Sequence, residues 1–134
     1  MSPSREIEHT ADWALEVWAP TLEALFVDAA VGMYALAGAR PGAPAPERRR
    51  IAVSAEDTES LLVAWLQELL YFTESEGLTF SFFQMEALTP TTLRAEARGA
   101  LAGRMDKVIK AVTYHNLKIE QTPRGFEVTL VFDV

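Results

Sequence analysis

The sequence predicts a single α+β domain, a two-layer sandwich in which two main helices pack on one face of a mixed β-sheet. Two segments of helical spacing lie in the first half, and period-2 alternation dominates after Gly77. The chain has 134 residues, of which 49% are hydrophobic. It is therefore long enough to bury one core and too short for two typical domains.

The N-terminal part predicts two extended segments followed by a helix. Residues 6–9 and 13–18 are the predicted strands, because apolar residues alternate with others in the second segment. Thr21 is the predicted N-cap of the helix, and Gly38 its C-terminal stop. The apolar residues between them recur at helical spacing: Leu22, Leu25, Phe26, Ala29, Ala30, Met33 and Leu36.

A proline-rich surface loop is predicted over residues 39–47. Three of these nine residues are proline, which disfavours regular structure. The loop is too short to separate two domains. The three arginines that follow, 48–50, favour the solvated start of a strand over a contact with RNA.

A strand at 51–54 leads into the second predicted helix. Asp57 or Thr58 caps this helix, which runs to about Glu74 and stops at Gly77. Its wide apolar face consists of Leu62, Trp65, Leu66, Leu69 and Leu70.

The rest of the chain predicts mainly strands. These strands are 78–88, 92–100, 117–121 and 126–134. Residues 105–114 are ambiguous between a short helix and a strand. The last strand alternates strictly, with Phe126, Val128, Leu130, Phe132 and Val134 on one side. Such a pattern predicts a central strand.

Composition excludes several classes of function. Cysteine is absent, so disulfides, thiol nucleophiles and iron–sulfur clusters are ruled out. The only histidines, His9 and His115, are too few for a site built mainly from imidazole. A net charge of −7 argues against broad coating of nucleic acid. With neither a signal-peptide pattern nor a membrane-length apolar stretch, the expectation is a cytoplasmic protein that binds no membrane.

The two predicted helices share a distinctive charge. Residues 21–38 and 57–76 contain seven acidic side chains and no basic one. Their exposed faces are therefore predicted to be negative. Such faces would steer a basic protein partner, or would simply keep the protein soluble.

Two polar clusters are candidates for chemistry. Residues 9–12, His-Thr-Ala-Asp, form either a metal or acid–base site or, as the pattern favours, a turn. Asp133 would lie beside the terminal carboxylate of Val134, and Asp12 would join them if its strand is adjacent. Three carboxylates repel one another unless a cation neutralises them, and an all-oxygen set suits Ca²⁺ or Mg²⁺. The alternative is a frayed, solvated terminus.

A third cluster, residues 110–115, contains Lys110, Thr113, Tyr114 and His115. A nucleophile–base pair can be imagined there. However, the chain contains none of the G-x-S-x-G, H-E-x-x-H and G-x-x-x-x-G-K-[ST] motifs. The sequence therefore shows no complete catalytic constellation.

Three separated motifs together resemble a known family. They are Glu8-His-Thr-Ala-Asp12, Lys110-Ala-Val-Thr-Tyr-His115 and Phe132-Asp-Val134 at the end of the sequence. The segments 21–26 and 61–70 are similar to that family's two helices. In this order and spacing the motifs resemble archease, a small single-domain family, over nearly the whole chain.

The resemblance implies an accessory protein and not an enzyme. Archeases act with the RtcB-type RNA ligase, promoting its guanylylation and multiple turnover and broadening its nucleotide use. RNA is then contacted only indirectly. The family also implies a Ca²⁺ site at Asp12, Asp133 and Val134. On chemical grounds Mg²⁺ is an alternative hard cation, and we expect His9 to orient a carboxylate through a ring N–H.

Two other classes of function stay open at this point. One is a general chaperone or adaptor for RNA- or DNA-modifying enzymes. The other is a metal-dependent hydrolase that uses Asp12 and Asp133 with His9 or His115, and that needs an open cation site with a bound water.

Overall fold

The computed structural model describes residues 4–8, 12–39, 46–101, 105–114 and 116–134, with the backbone alone for 5–8 and 12. Ten elements follow one another along these described residues. They are β1 (Ser4–Glu8), β2 (Asp12–Ala19), α1 (Leu22–Leu36), β3 (Glu47–Ser54), α2 (Thr58–Glu76), β4 (Leu78–Leu88), β5 (Thr92–Leu101), β6 (Ala111–Thr113), β7 (Glu120–Thr122) and β8 (Gly125–Asp133).

The described strands form two sheets. One has the order β1-β2-β8-β6, with β7 also paired to β8, and the other has the order β3-β5-β4. The α+β class is confirmed, but the predicted single mixed sheet is wrong, since every described pair is antiparallel. The strands flanking α1 enter different sheets, and those flanking α2 are separated by β5. Neither helix therefore connects two adjacent parallel strands.

Local capping chemistry sets the ends of both helices. The Thr21 hydroxyl accepts a hydrogen bond from the Ala24 N–H at 3.1 Å, as predicted for the N-cap of α1. Gly38 and Gly77 follow the two helices with φ of +69° and +72°, the left-handed region that glycine adopts without strain. The second helix ends at Glu76, slightly beyond the predicted Glu74.

Both helices pack against strands of both sheets, so that one core joins them. α1 contacts β2 and β4, and α2 contacts β3, β4 and β6. Trp65 and Phe26 are fully buried where the helices meet, and the Trp65 indole N–H donates to the Phe26 carbonyl at 2.9 Å. The indole therefore fills volume and also satisfies a buried acceptor.

Three predicted segments differ from the structure. The helical interpretation of 105–114 is wrong: its last part is β6, and the rest is irregular. The strand predicted at 117–121 is shorter and shifted to Glu120–Thr122. β3 already begins at Glu47, while residues 40–45 of the predicted proline-rich loop lie outside the described residues.

Neither helix, within the part of the chain that the structure describes, is long and apolar enough to cross a membrane.

The N-cap of α2 should make stability depend on pH. The Asp57 carboxylate accepts a hydrogen bond from the Ser60 backbone N–H at 2.7 Å, and this bond lowers the pKa of Asp57. A lowered folded-state pKa gives stability that is present above the unfolded value of about 3.9 and lost as pH falls. We expect Asp57→Asn, which still caps but does not ionise, to lose less stability between about pH 7 and about pH 3 than the wild type.

Urea unfolding of the two proteins at both pH values measures this difference, and Asp57→Ala, which removes the cap, should be weaker at neutral pH. Equal losses in wild type and Asp57→Asn would contradict the assignment of the cap.

Candidate functional site

The last strand is the central strand of the five-stranded sheet, as predicted. β8 pairs with β2 on one side and with β6 and β7 on the other. Val128, Leu130 and Phe132 are each at most 3% exposed, so the strand is anchored in the core along its length. The backbone that leads to Asp133 is therefore held in place and does not fray.

The register brings two of the predicted ligand positions together. Asp12 of β2 lies directly opposite Asp133 of β8, and Ala111 of β6 lies opposite Asp133 from the other side. The Lys110 N–H donates to the Asp133 carbonyl at 2.7 Å. Asp133 has an exposed side chain, and Val134 packs partly buried against the core.

The residues at this strand end fit a hard divalent cation by their chemistry. Residues directly opposite in an antiparallel pair share one face of the sheet, so positions 12 and 133 can act on the same ion. Their carboxylates are oxygen donors of the kind that Ca²⁺ and Mg²⁺ prefer. Among the described side chains, which exclude that of Asp12, no three His, Cys, Asp or Glu residues cluster as a metal site.

One orphaned polar atom lies on the neighbouring strand. Thr113 Oγ1 is buried, and among the described residues it has no hydrogen-bond partner. Thr113 pairs with Val131, which lies two positions before Asp133 in β8. Thr113 and Asp133 therefore lie on the same face of the sheet. A buried hydroxyl without a partner is costly, which marks this face as one with unmet hydrogen-bonding capacity.

The segment before β6 ties the site to the end of α1. The N–H groups of Asp106 and Lys107 both donate to the Ala37 carbonyl, at 2.9 and 3.0 Å. The Lys107 ammonium lies 4.0 Å from the centre of the Trp13 ring, and Trp13 is the residue that follows Asp12. This contact adds a fixed positive charge close to the strand end, and the sequence pattern did not reveal it.

The structure does not assemble the third predicted cluster into a nucleophile–base pair. Tyr114 is 60% exposed, and among the described residues the Thr113 hydroxyl has no hydrogen-bond partner and so no base to activate it. His9 and His115 lie outside the described residues. The described side chains of this cluster therefore form no hydrolytic site.

An apolar groove of about 400 Å³ adjoins Lys110, between the end of α2 and the segment before β6. Leu70, Met105 and Ile109 line it, together with Val108, which is 73% exposed. The exposed Glu74 of α2 also lines the groove. The surface beside the candidate site is therefore apolar, with acidic Glu74 and basic Lys110 at its border.

Comparison with known proteins identifies the family. The archease protein family matches residues 5–134. The archease of Methanopyrus kandleri is 34% identical over 139 residues, which cover 98% of this chain and 99% of that relative.

Two solved structures have the same fold. The solution structure of Methanobacterium thermoautotrophicum protein 1598 aligns over 100% of both chains, with a TM-score of 0.76 and 26% identity. The crystal structure of a Thermotoga maritima archease, described as a possible chaperone, aligns over 97% of this chain and 96% of that one, with a TM-score of 0.72 and 25% identity. From the matched length and the identity to its relatives, this chain belongs to the archease family.

Proposed function

We propose that this protein is a non-catalytic, cytoplasmic cofactor of an RtcB-type RNA ligase. It would promote guanylylation of the ligase and its multiple turnover, and broaden the nucleotides that the ligase uses. The observation that carries the proposal is the pairing of Asp12 with Asp133 at the end of a central strand, in a chain that matches the archease family over residues 5–134.

The same proposal includes a cation site. Asp12, Asp133 and Val134 would hold Ca²⁺, or another hard divalent cation such as Mg²⁺, through carboxylate oxygens. The cation would neutralise the repulsion among the three carboxylates and offer its remaining coordination positions to oxygen atoms of a partner. The hydrogen bond from Lys110 to Asp133 and the packing of Val134 against the core hold these positions in place.

The partner of this strand end is proposed to be a protein. The apolar groove beside Lys110 and the acidic side chains of α2 together offer burial and charge to a basic surface. RNA would then be affected through the ligase.

A ligase reaction tests the function directly. With ligase limiting, adding this protein should increase both the guanylylated ligase and the amount of sealed RNA, because each ligase molecule then turns over more than once. Incubated alone, the protein should leave RNA, nucleotides and phosphoesters unchanged. Product formation and ligase guanylylation are followed on gels.

Turnover of RNA or a phosphoester by the protein alone, lost in Asp12→Ala, would overturn the proposal in favour of a metal-dependent hydrolase. A general chaperone or adaptor is the second candidate, because the Thermotoga maritima archease is described as a possible chaperone. That role predicts less aggregation of unrelated client enzymes and no change in the rate of ligase guanylylation.

A further inference from the structure

The outer face of the three-stranded sheet combines basic side chains with an exposed aromatic ring. The register aligns Arg48 of β3, Arg98 of β5 and Phe82 of β4 in one row across the sheet. Arg50 and Arg94 lie on the same face in the two following rows. In the strand register Arg50 is opposite Glu96, and Arg94 is opposite Ala52. We call these five residues, Arg48, Arg50, Phe82, Arg94 and Arg98, the arginine face.

The arginine face points away from the acidic helices. Residues on the other side of the same strands, including Ile51, Leu93 and Ala97, are at most 1% exposed in the core. Arg49, on that inner side, reaches α2 and forms an ion pair with Glu76 at 2.6 Å. The sheet therefore separates the arginine face from α2, and at physiological ionic strength charges beyond about 8 Å are largely screened.

Positive charge exceeds negative charge on this face. Its two carboxylates are already paired, Glu96 with Arg98 at 2.7 Å and Glu86 with Arg50 at 3.3 Å. The hydrogen bond from Arg98, and then the nearby charges of Arg98, Arg48 and Arg50, lower the pKa of Glu96. Among the described residues neither Arg48 nor Arg94 has a carboxylate within salt-bridge distance. Two guanidinium groups are thus available to an anion on a chain whose net charge is −7.

The aromatic ring decides between the possible anions. Phe82 is 48% exposed, and the Arg98 guanidinium carbon lies 5.2 Å from the ring centre. An acidic protein surface would need only the arginines, whereas an exposed ring beside them can also stack an unpaired base. Neighbouring strands lie about 4.8 Å apart, so the three strands present a platform about 10 Å wide, enough for a few nucleotides.

We propose that the arginine face binds single-stranded nucleic acid, with the arginines on phosphates and Phe82 stacked on a base. This direct contact goes beyond the proposed ligase role, in which RNA is affected only through the partner. It also does not depend on that role, because the purified protein alone should bind.

Fluorescence anisotropy with a short labelled single-stranded RNA measures the binding. Two phosphate contacts, made by Arg48 and Arg94, predict that the logarithm of the binding constant falls with the logarithm of salt concentration with a slope of about −1.4, since each contact contributes about −0.7. The double variant Arg48→Gln/Arg94→Gln should bring that slope close to zero. Phe82→Leu should weaken binding about tenfold while leaving the slope unchanged.

Two matched variants serve as controls. Arg124→Gln removes the same charge from an arginine that is paired with Glu16 and Glu127 on the other sheet, and Tyr71→Leu removes an exposed ring from α2. Neither should change the affinity for RNA. All the altered side chains are exposed, so the variants should fold, and thermal melts test this.

The proposal is overturned by three results. The first is no binding of the oligonucleotide at about 50 mM salt. The second is an affinity that the arginine and Phe82 variants do not change. The third is binding of polyglutamate as tight as that of RNA together with no effect of Phe82→Leu, which would show that the face accepts an acidic protein instead.

Discussion

Replacing Trp65 with alanine is expected to lower the free energy of unfolding by about 3–5 kcal/mol, the range for large-to-small changes in a core. The side chain is 0% exposed, lies edge-on to Phe83 and donates its indole N–H to the Phe26 carbonyl. Alanine would leave a cavity and remove a hydrogen bond to a buried acceptor. Because whole domains are stable by only about 5–15 kcal/mol, urea melts should show the loss plainly.

Tyr71 is the matched control on the same helix. Its ring is 60% exposed, so Tyr71→Ala should cost less than about 1 kcal/mol. Trp65→Phe helps to separate the two contributions, because it keeps most of the volume and removes the indole donor. A loss below about 1 kcal/mol for Trp65→Ala would show that α2 does not pack as described.

Asp133→Asn is expected to weaken binding of Ca²⁺ by at least about tenfold and to abolish activation of the ligase. Even residues that only support metal ligands cost about 10–100-fold when changed, and Asp133 is proposed to be a ligand itself. The fold should remain, because the side chain is exposed and the backbone bond from Lys110 is unaffected. Calorimetric titration with Ca²⁺ and an unfolding curve measure the two properties separately.

Asp57→Asn provides the matched control, since it is the same substitution at an exposed helix cap and should leave the cation affinity unchanged. Asp12→Asn should match Asp133→Asn. One residue added after Val134 should displace the proposed third ligand. Equal Ca²⁺ affinity in wild type, in Asp133→Asn and in the extended chain would exclude the site.

The helices could be predicted because their ends depend on neighbouring residues. Thr21 and Asp57 bond to N–H groups three residues ahead, and Gly38 and Gly77 supply the left-handed stops. The segment 105–114 could not be predicted in the same way. Its backbone N–H groups donate to Ala37 and Asp133, which are distant in sequence. The spacing of its own apolar residues therefore could not predict its conformation.

The pairing at the candidate site shows a similar limit. Patterning predicted that β8 is central, but only the register shows that Asp12 lies opposite Asp133. The arginine face was missed for the same reason. In β5 the charged residues Arg94, Glu96 and Arg98 alternate with alanines, a period-2 signal that was present in the sequence, whereas the arginines of β3 are consecutive. The row of Arg48, Arg98 and Phe82 exists only once three strands are aligned.

The pairing of β2 with β8 also has a consequence for folding. It joins residues more than 100 positions apart, whereas β4 and β5 form a local hairpin. Closing a long loop costs more conformational entropy than closing a short one, so long-range contacts form later in folding. The hairpin can therefore form well before β2 and β8 meet. A cation held between Asp12 and Asp133 would bind only the fully closed chain, and its binding free energy would add to the stability of that closure.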